Sequence, residues 1–341
     1  MSRGESLPVA RMKRAVSVAV VVLLVCLLLI NSYCSARVSS IIRGVSSSSN
    51  GGSSVCRALA LGGGGDRGAY EAGVLKYLEQ VQYQVIGGIS AGAINSVALS
   101  QYKIGDEKAA VAFILNKWLS LQKSQVYKDW PLGIAEGFLI KSGLFNTSPL
   151  HNFLTANVNV TKIRQSGRSL LLGATNLVTN SYERFDQFTD DLIEATRASS
   201  AVPGVFEAVP LTKNGKESLY VDGGAKYMTP VSDTIAECFR KTNASRVEVD
   251  VILAIGDLQF GSHDIFNKVQ TTPFILLRTL FGVVDDIFTK DIENAQNAFG
   301  NRATIRVFKP SKWLPGYFLG FTDAAEMIQQ GYQDAANVIK K

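Results

Sequence analysis

From residue 55 onward, short apolar runs bounded by glycines alternate with stretches whose apolar residues recur every three or four positions. Arg57–Leu61 reads as a strand closed by a Gly-rich turn. A helix from Ala69 then sets Tyr70, Val74, Tyr77 or Leu78, and Val81 on one face. Gln84–Ile89 reads as a second strand and Ala91–Ser100 as a helix of small residues. Further strands are predicted at Ser169–Ala174, Tyr182–Phe185, Leu219–Val221 and Val249–Ile255, with Asp190–Ser200 helical. Strands alternating with helices imply an α/β fold, its mostly parallel sheet covered on both faces. No internal repeat is evident.

Three apolar stretches fall outside this rhythm. Ala15–Ile30 is uninterrupted and follows Arg11, Lys13 and Arg14, the layout of a secretory signal or an N-terminal anchor. Cys34 and Ala36 suit a cleavage site, while the length to Cys34 approaches the ~20 residues that cross a bilayer. Both readings stay open: membrane-associated if the segment is retained, secreted or lumenal if it is removed. Residues 1–36 form this segment, 37–54 a Ser/Gly-rich linker, and 55–341 one catalytic domain. Trp130–Phe145 and Pro273–Phe288 are apolar with sparse charge; core is the expected place for both, a lid or membrane-contacting helix the alternative. Thr322–Lys341 reads as an amphipathic helix docked on the domain.

Composition narrows the partners. The net charge of +6 sits mostly before residue 38, where Arg3, Arg11, Lys13, Arg14 and Arg37 face only Glu5. The folded part thus lacks the basic excess of a nucleic-acid binder. Cys26, Cys34, Cys56 and Cys238 are widely spaced and form no metal motif; Cys56 and Cys238 could pair, with two buried free thiols the expected reading. Sequons at Asn146, Asn159 and Asn243 would fit a lumenal domain.

Three motifs carry chemistry. Gly62–Gly68, GGGGDRG, lies between a strand and a helix, where backbone N–H groups offer a site for negative charge. It is not a dinucleotide fingerprint, because Gly87-Gly88-Ile89-Ser90 stands where an acidic residue should close the second strand. No Gly-Lys-Ser/Thr follows either, so no nucleotide is expected. Gly88-Ile89-Ser90-Ala91-Gly92 has the small residues a sharp strand-to-helix turn needs to present a serine hydroxyl. Asp222-Gly223-Gly224 reads alone as a turn, yet it places a carboxylate at the end of a strand. Oxyanion loop, elbow serine and strand-end aspartate together suit acyl transfer.

These motifs, in this order, resemble the patatin-like phospholipase family. GGGGDRG matches its oxyanion loop, GISAG its nucleophile elbow and DGG its aspartate block, and Arg197–Phe206 looks like its helix-to-loop segment. The resemblance spans roughly Val55 to Gly256 and departs at Met228, where many members carry Asn; an effect on loop packing is expected. It implies a three-layer α/β/α domain and a Ser90–Asp222 dyad acting on glycerolipid acyl esters through an acyl-enzyme. Gly63, Gly64 and Gly65 would hold the oxyanion, without metal or cofactor, at a lipid or membrane surface. Arg67 would orient the loop, meet a phosphate head group, or pair with a nearby carboxylate. The rival mechanism is a Ser90–Asp222–His263 triad, but His263 sits in a polar Gly-Ser-His-Asp stretch expected to be a solvated loop, and His151 is the other histidine. A non-catalytic lipid-binding protein of the same fold is the rival from another class.

Overall fold

The computed structural model describes residues 54–213, 215–255, 272–316 and 319–340, with 272–285 as backbone only. The N-terminal apolar run, the linker before Ser54 and His263 lie outside the described residues. The chain enters through β1 (Val55–Leu61), crosses to α1 (Gly68–Tyr77), returns as β2 (Val85–Gly88) and turns into α2 (Ala91–Ser100). After α3 (Glu107–Ser120) come the short elements α4 (Ile134–Leu139), β3 (Gly143–Phe145), α5 (Ser148–Asn157) and α6 (Val160–Gln165). The hairpin β4 (Ser169–Asn176) and β5 (Ser181–Asp186) leads to α7 (Leu192–Ser199), β6 (Gly204–Phe206), β7 (Val209–Lys213) and β8 (Lys216–Asp222). Next come α8 (Val231–Thr242), β9 (Arg246–Ile252), α9 (Thr272–Phe299), β10 (Ala303–Phe308) and α10 (Ala324–Ile339).

The main sheet runs β10-β9-β1-β2-β4-β8-β7, with β5 also paired to β4. Strands β10, β9, β1, β2 and β4 are mutually parallel, and β5, β7 and β8 add antiparallel pairings. The period-2 alternation of β1 divides the core. Leu59 and Leu61 pack with Tyr70, Leu75, Ile114 and Trp118 on the α1–α3–α10 side. Cys56, Ala58 and Ala60 meet Ile235, Cys238 and Phe288 on the α8–α9 side. This is the expected three-layer α/β/α arrangement. The C-terminal helix docks as expected: a Cβ on Gly73 would come 2.1 Å from the Ile328 carbonyl, and one on Gly331 2.2 Å from that of Tyr70, so only glycines let α1 and α10 lie this close.

Two expectations are corrected. Cys56 and Cys238 are not free thiols but a disulfide, their Cα atoms 5.8 Å apart, within bridging reach. A sequence separation of 182 hides the pair, which forms because α8 lies across the β1 face that carries Cys56. Trp130–Phe145 is not core: Leu132, Leu139 and Ile140 are 74%, 72% and 70% exposed, because α4 rests on β3 through Gly137 and turns its aliphatic residues outward. In the other stretch, Phe288 is buried as expected, whereas the side chains of 272–285 are outside the description.

Candidate active site

The register of β4 brings Ser90 and Asp222 together. Gly88 of β2 lies opposite Leu172, and Asp222 of β8 lies opposite Ala174. Since β5 takes the other edge of β4 from Leu171 to Asn176, β2 and β8 share one edge and run toward each other. Their C-terminal ends meet near Gly173. Ser90 and Asp222 are thus placed by long-range strand pairing.

Ser90 occupies the turn with φ 59 and ψ −125, a region that costs a non-glycine residue about 1–3 kcal/mol. Its N–H donates to the carbonyl of Ser199 (3.0 Å) and lies 3.1 Å from the Ser199 hydroxyl, while its own carbonyl accepts from the Ser200 hydroxyl at 3.1 Å. The small flanking residues are obligatory: a Cβ on Gly88 would approach the Gly92 carbonyl to 2.1 Å, and one on Gly92 would approach that of Leu61 to 2.5 Å. Ser90 is 5% exposed and Asp222 4%. The Asp222 N–H donates to Ala201 O at 2.8 Å, so the Ser199–Ala201 segment braces both residues. Burial pushes the Asp222 carboxyl up to about 7, partly offset by the Ser90 hydroxyl and the Gly224 N–H that donate to it. The Gly224 bond is 2.7 Å.

The Gly loop lies beside the serine, a Cβ on Gly63 falling 3.2 Å from that of Ser90. Of the three glycines expected to supply donors, Gly63 already gives its N–H to the Met228 carbonyl at 3.1 Å. The N–H groups of Gly64 and Gly65 have no hydrogen-bonded acceptor among the described residues. Arg67 is buried 3.7 Å from Asp66, its pKa lowered by burial against the pull of that carboxylate. Asp66 in turn accepts from the N–H groups of Gly320 and Phe321 at 3.1 and 3.2 Å, tying the loop to the C-terminal segment. His151 instead faces Glu194, Nδ1 to Oε1 2.5 Å, at the α5–α7 contact. No group of three metal-ligating side chains occurs among the described residues.

Several contributors escape sequence reasoning. Met228, expected to affect packing alone, sits against both Gly63 and Gly224. Beneath the loop, buried Glu71 accepts from Asn95 at 2.8 Å, and Asn95 accepts from the Trp118 indole at 2.7 Å. Helical spacing shows that such residues face inward but not that they meet.

The family model for patatin-like phospholipases matches residues 59–235, over half of the chain. The chain belongs to the patatin-like phospholipase family. The matched span holds the Gly loop, Ser90, the Ser199–Ala201 brace and Asp222. Among solved structures, VipD from Legionella pneumophila is similar at 13% identity and TM-score 0.40, over 84% of this chain and 66% of that one. Human GIVD cytosolic phospholipase A2 is similar at 9% identity and TM-score 0.41, over 84% and 63%. The ExoU–SpcU complex from Pseudomonas aeruginosa shows 12% identity and TM-score 0.31, over 84% and 51%. The chain therefore spans from half to just under two thirds of these proteins. No curated protein matches it.

Proposed function

We propose that this patatin-like chain hydrolyses acyl esters of glycerolipids through Ser90 and Asp222, by way of an acyl-enzyme. The observation that carries the reading is Ser90 held in a glycine-like turn, its hydroxyl on a buried carboxylate and open loop N–H groups alongside. Ionised Asp222 takes the serine proton as Oγ adds to the ester carbonyl. The N–H groups of Gly64 and Gly65 stabilise the oxyanion, each donor worth about 2.7–4 kcal/mol of barrier. The proton passes to the departing alcohol, and Asp222 then activates the water that releases the fatty acid. Gly63 shapes the loop through Met228, and buried Arg67 orients it with Asp66.

The decisive experiment treats folded protein with a fluorophosphonate probe and follows the lipidome with active and Ser90→Ala protein. Labelling confined to Ser90, with one lipid class consumed by wild type alone, is the expected result. Absence of labelling would leave a lipid-binding protein. Asp222→Asn is expected to abolish turnover and His263→Ala to leave it intact.

The Cys56–Cys238 bridge and the N-terminal apolar run together favour an oxidising secretory or lumenal compartment. The exposed α4 tip, flanked by Trp130, Lys128 and Lys141, suits contact with the surface of a lipid aggregate. Leu139→Glu with Ile140→Glu is expected to weaken flotation with anionic vesicles and to leave hydrolysis of a soluble short-chain ester unchanged.

A further inference from the structure

The residues that hold the Gly loop in place are not all inside the matched span. Asp291 of α9 is buried, and its Oδ2 accepts from two consecutive backbone N–H groups, Met228 at 2.9 Å and Thr229 at 3.0 Å. The Met228 carbonyl accepts from Gly63, and the residue's side chain fills the space between Gly63 and Gly224. A Cβ on Gly63 would lie 2.9 Å from Met228 Cε, and one on Gly224 2.6 Å from its Sδ. Gly224 in turn donates to Asp222. One turn earlier on α9, Phe288 backs onto Gly62, where a Cβ would lie 3.0 Å from its ring.

From this chain of contacts we infer that Asp291 is a positioning residue for the hydrolysis, setting the Gly64–Gly65 donors and the Asp222 turn through Met228. The inference rests on the hydrolase reading of Ser90 and Asp222. Two adjacent buried N–H groups need an acceptor, and one carboxylate oxygen between them fixes both amides at once. With Met228 fixed, its carbonyl holds Gly63, and the next two amides of the loop stay turned away from the protein's own acceptors. An oxyanion forms only after attack, so a slack loop weakens stabilisation of the transition state and leaves ester binding untouched.

The test measures a soluble short-chain p-nitrophenyl ester at matched folded fraction, together with amide hydrogen exchange over residues 62–68. Asp291→Ala is expected to lower kcat tenfold or more with KM within twofold, and to speed exchange in the loop. Asp291→Asn keeps an oxygen able to accept both N–H groups and is expected to recover kcat to within threefold of wild type. Ile292→Ala, which loosens α9 packing and leaves the Asp291 acceptor in place, is expected to lower Tm and preserve kcat. Wild-type kcat and loop exchange in Asp291→Ala would overturn the inference, as would an equal loss in Asp291→Asn or Ile292→Ala. If Asp291→Ala does not fold, Asp291→Glu moves the acceptor by one methylene and is expected to lose kcat with KM held; wild-type kcat there overturns it. Wild-type protein that turns over no ester defeats the hydrolase reading alone, and the exchange data still decide the role of Asp291.

Discussion

At Ser90 the backbone is held where a side chain is disfavoured, and three backbone and hydroxyl partners from Ser199 and Ser200 keep it there. Such local strain persists when the surroundings over-determine it. Ser90→Gly removes the clash and Ser90→Ala does not, so the glycine variant should unfold about 1–2 kcal/mol later than the alanine variant in urea, with both inactive. Equal stabilities would mean that the turn carries no strain. Asp222 gives a second prediction at the same scale. In the proposed mechanism it must be ionised to accept the serine proton, and burial holds its pKa up to about 7. On a soluble ester, kcat/KM should therefore rise with pH, level off above about 7, and lose this inflection if the base is a group other than Asp222. A profile flat from pH 5 to 8 would remove Asp222 from that role.

Among the elements, what local pattern encodes and what it does not separate cleanly. Strands β1, β2 and β4 are buried on both faces and read directly as apolar runs, as did the small-residue helix α2. Helix α3 was not predicted, although Ala110, Val111, Ile114 and Trp118 recur there at helical spacing. Strand β7 was not, because Pro210 reads as a break, and β3 and β6 have three residues each, too few for a period. The motifs named Ser90, Asp222 and the Gly loop, yet the head-on approach of β2 and β8 along β4 is long-range pairing that no local pattern holds. The same is true of Cys56 and Cys238, which look like two buried small residues until α8 is laid on β1. At a sequence separation of 182, chain entropy assigns this bridge about 5 kcal/mol. Cys56→Ala with Cys238→Ala should accordingly lower Tm by ten degrees or more, and excess reductant should bring wild type down to the same value.

Taken as a whole, the molecule buries acids whose ionisation burial opposes. Burial pushes both Asp222 and Asp291 up to about 7, and Glu71, Asp66 and Asp233 are raised by the same cause. In the unfolded chain an aspartate loses its proton near 3.8. Between about pH 4 and pH 7 the folded state thus binds more protons than the unfolded one, so stability falls as pH rises and the loss is complete above about 7. A shift from 3.8 to about 7 corresponds to about 4 kcal/mol at most for each such group. The carboxylates held low by partners, Glu183 and Glu237, act in the opposite sense, but only as pH falls toward and below their ordinary range. The protein should therefore melt at a higher temperature at pH 5 than at pH 8. Asp222→Asn keeps the shape and the acceptor for Gly224 but cannot ionise, so it should be inactive, more stable than wild type at pH 8, and less sensitive to pH. Scanning calorimetry at the two pH values checks this, and an Asp222→Asn protein that melts below wild type at pH 8 would contradict it. In the proposed hydrolysis, the cost of holding Asp222 dry is also what keeps its carboxylate basic enough to take a proton from Ser90, so activity and instability at neutral pH would have one origin.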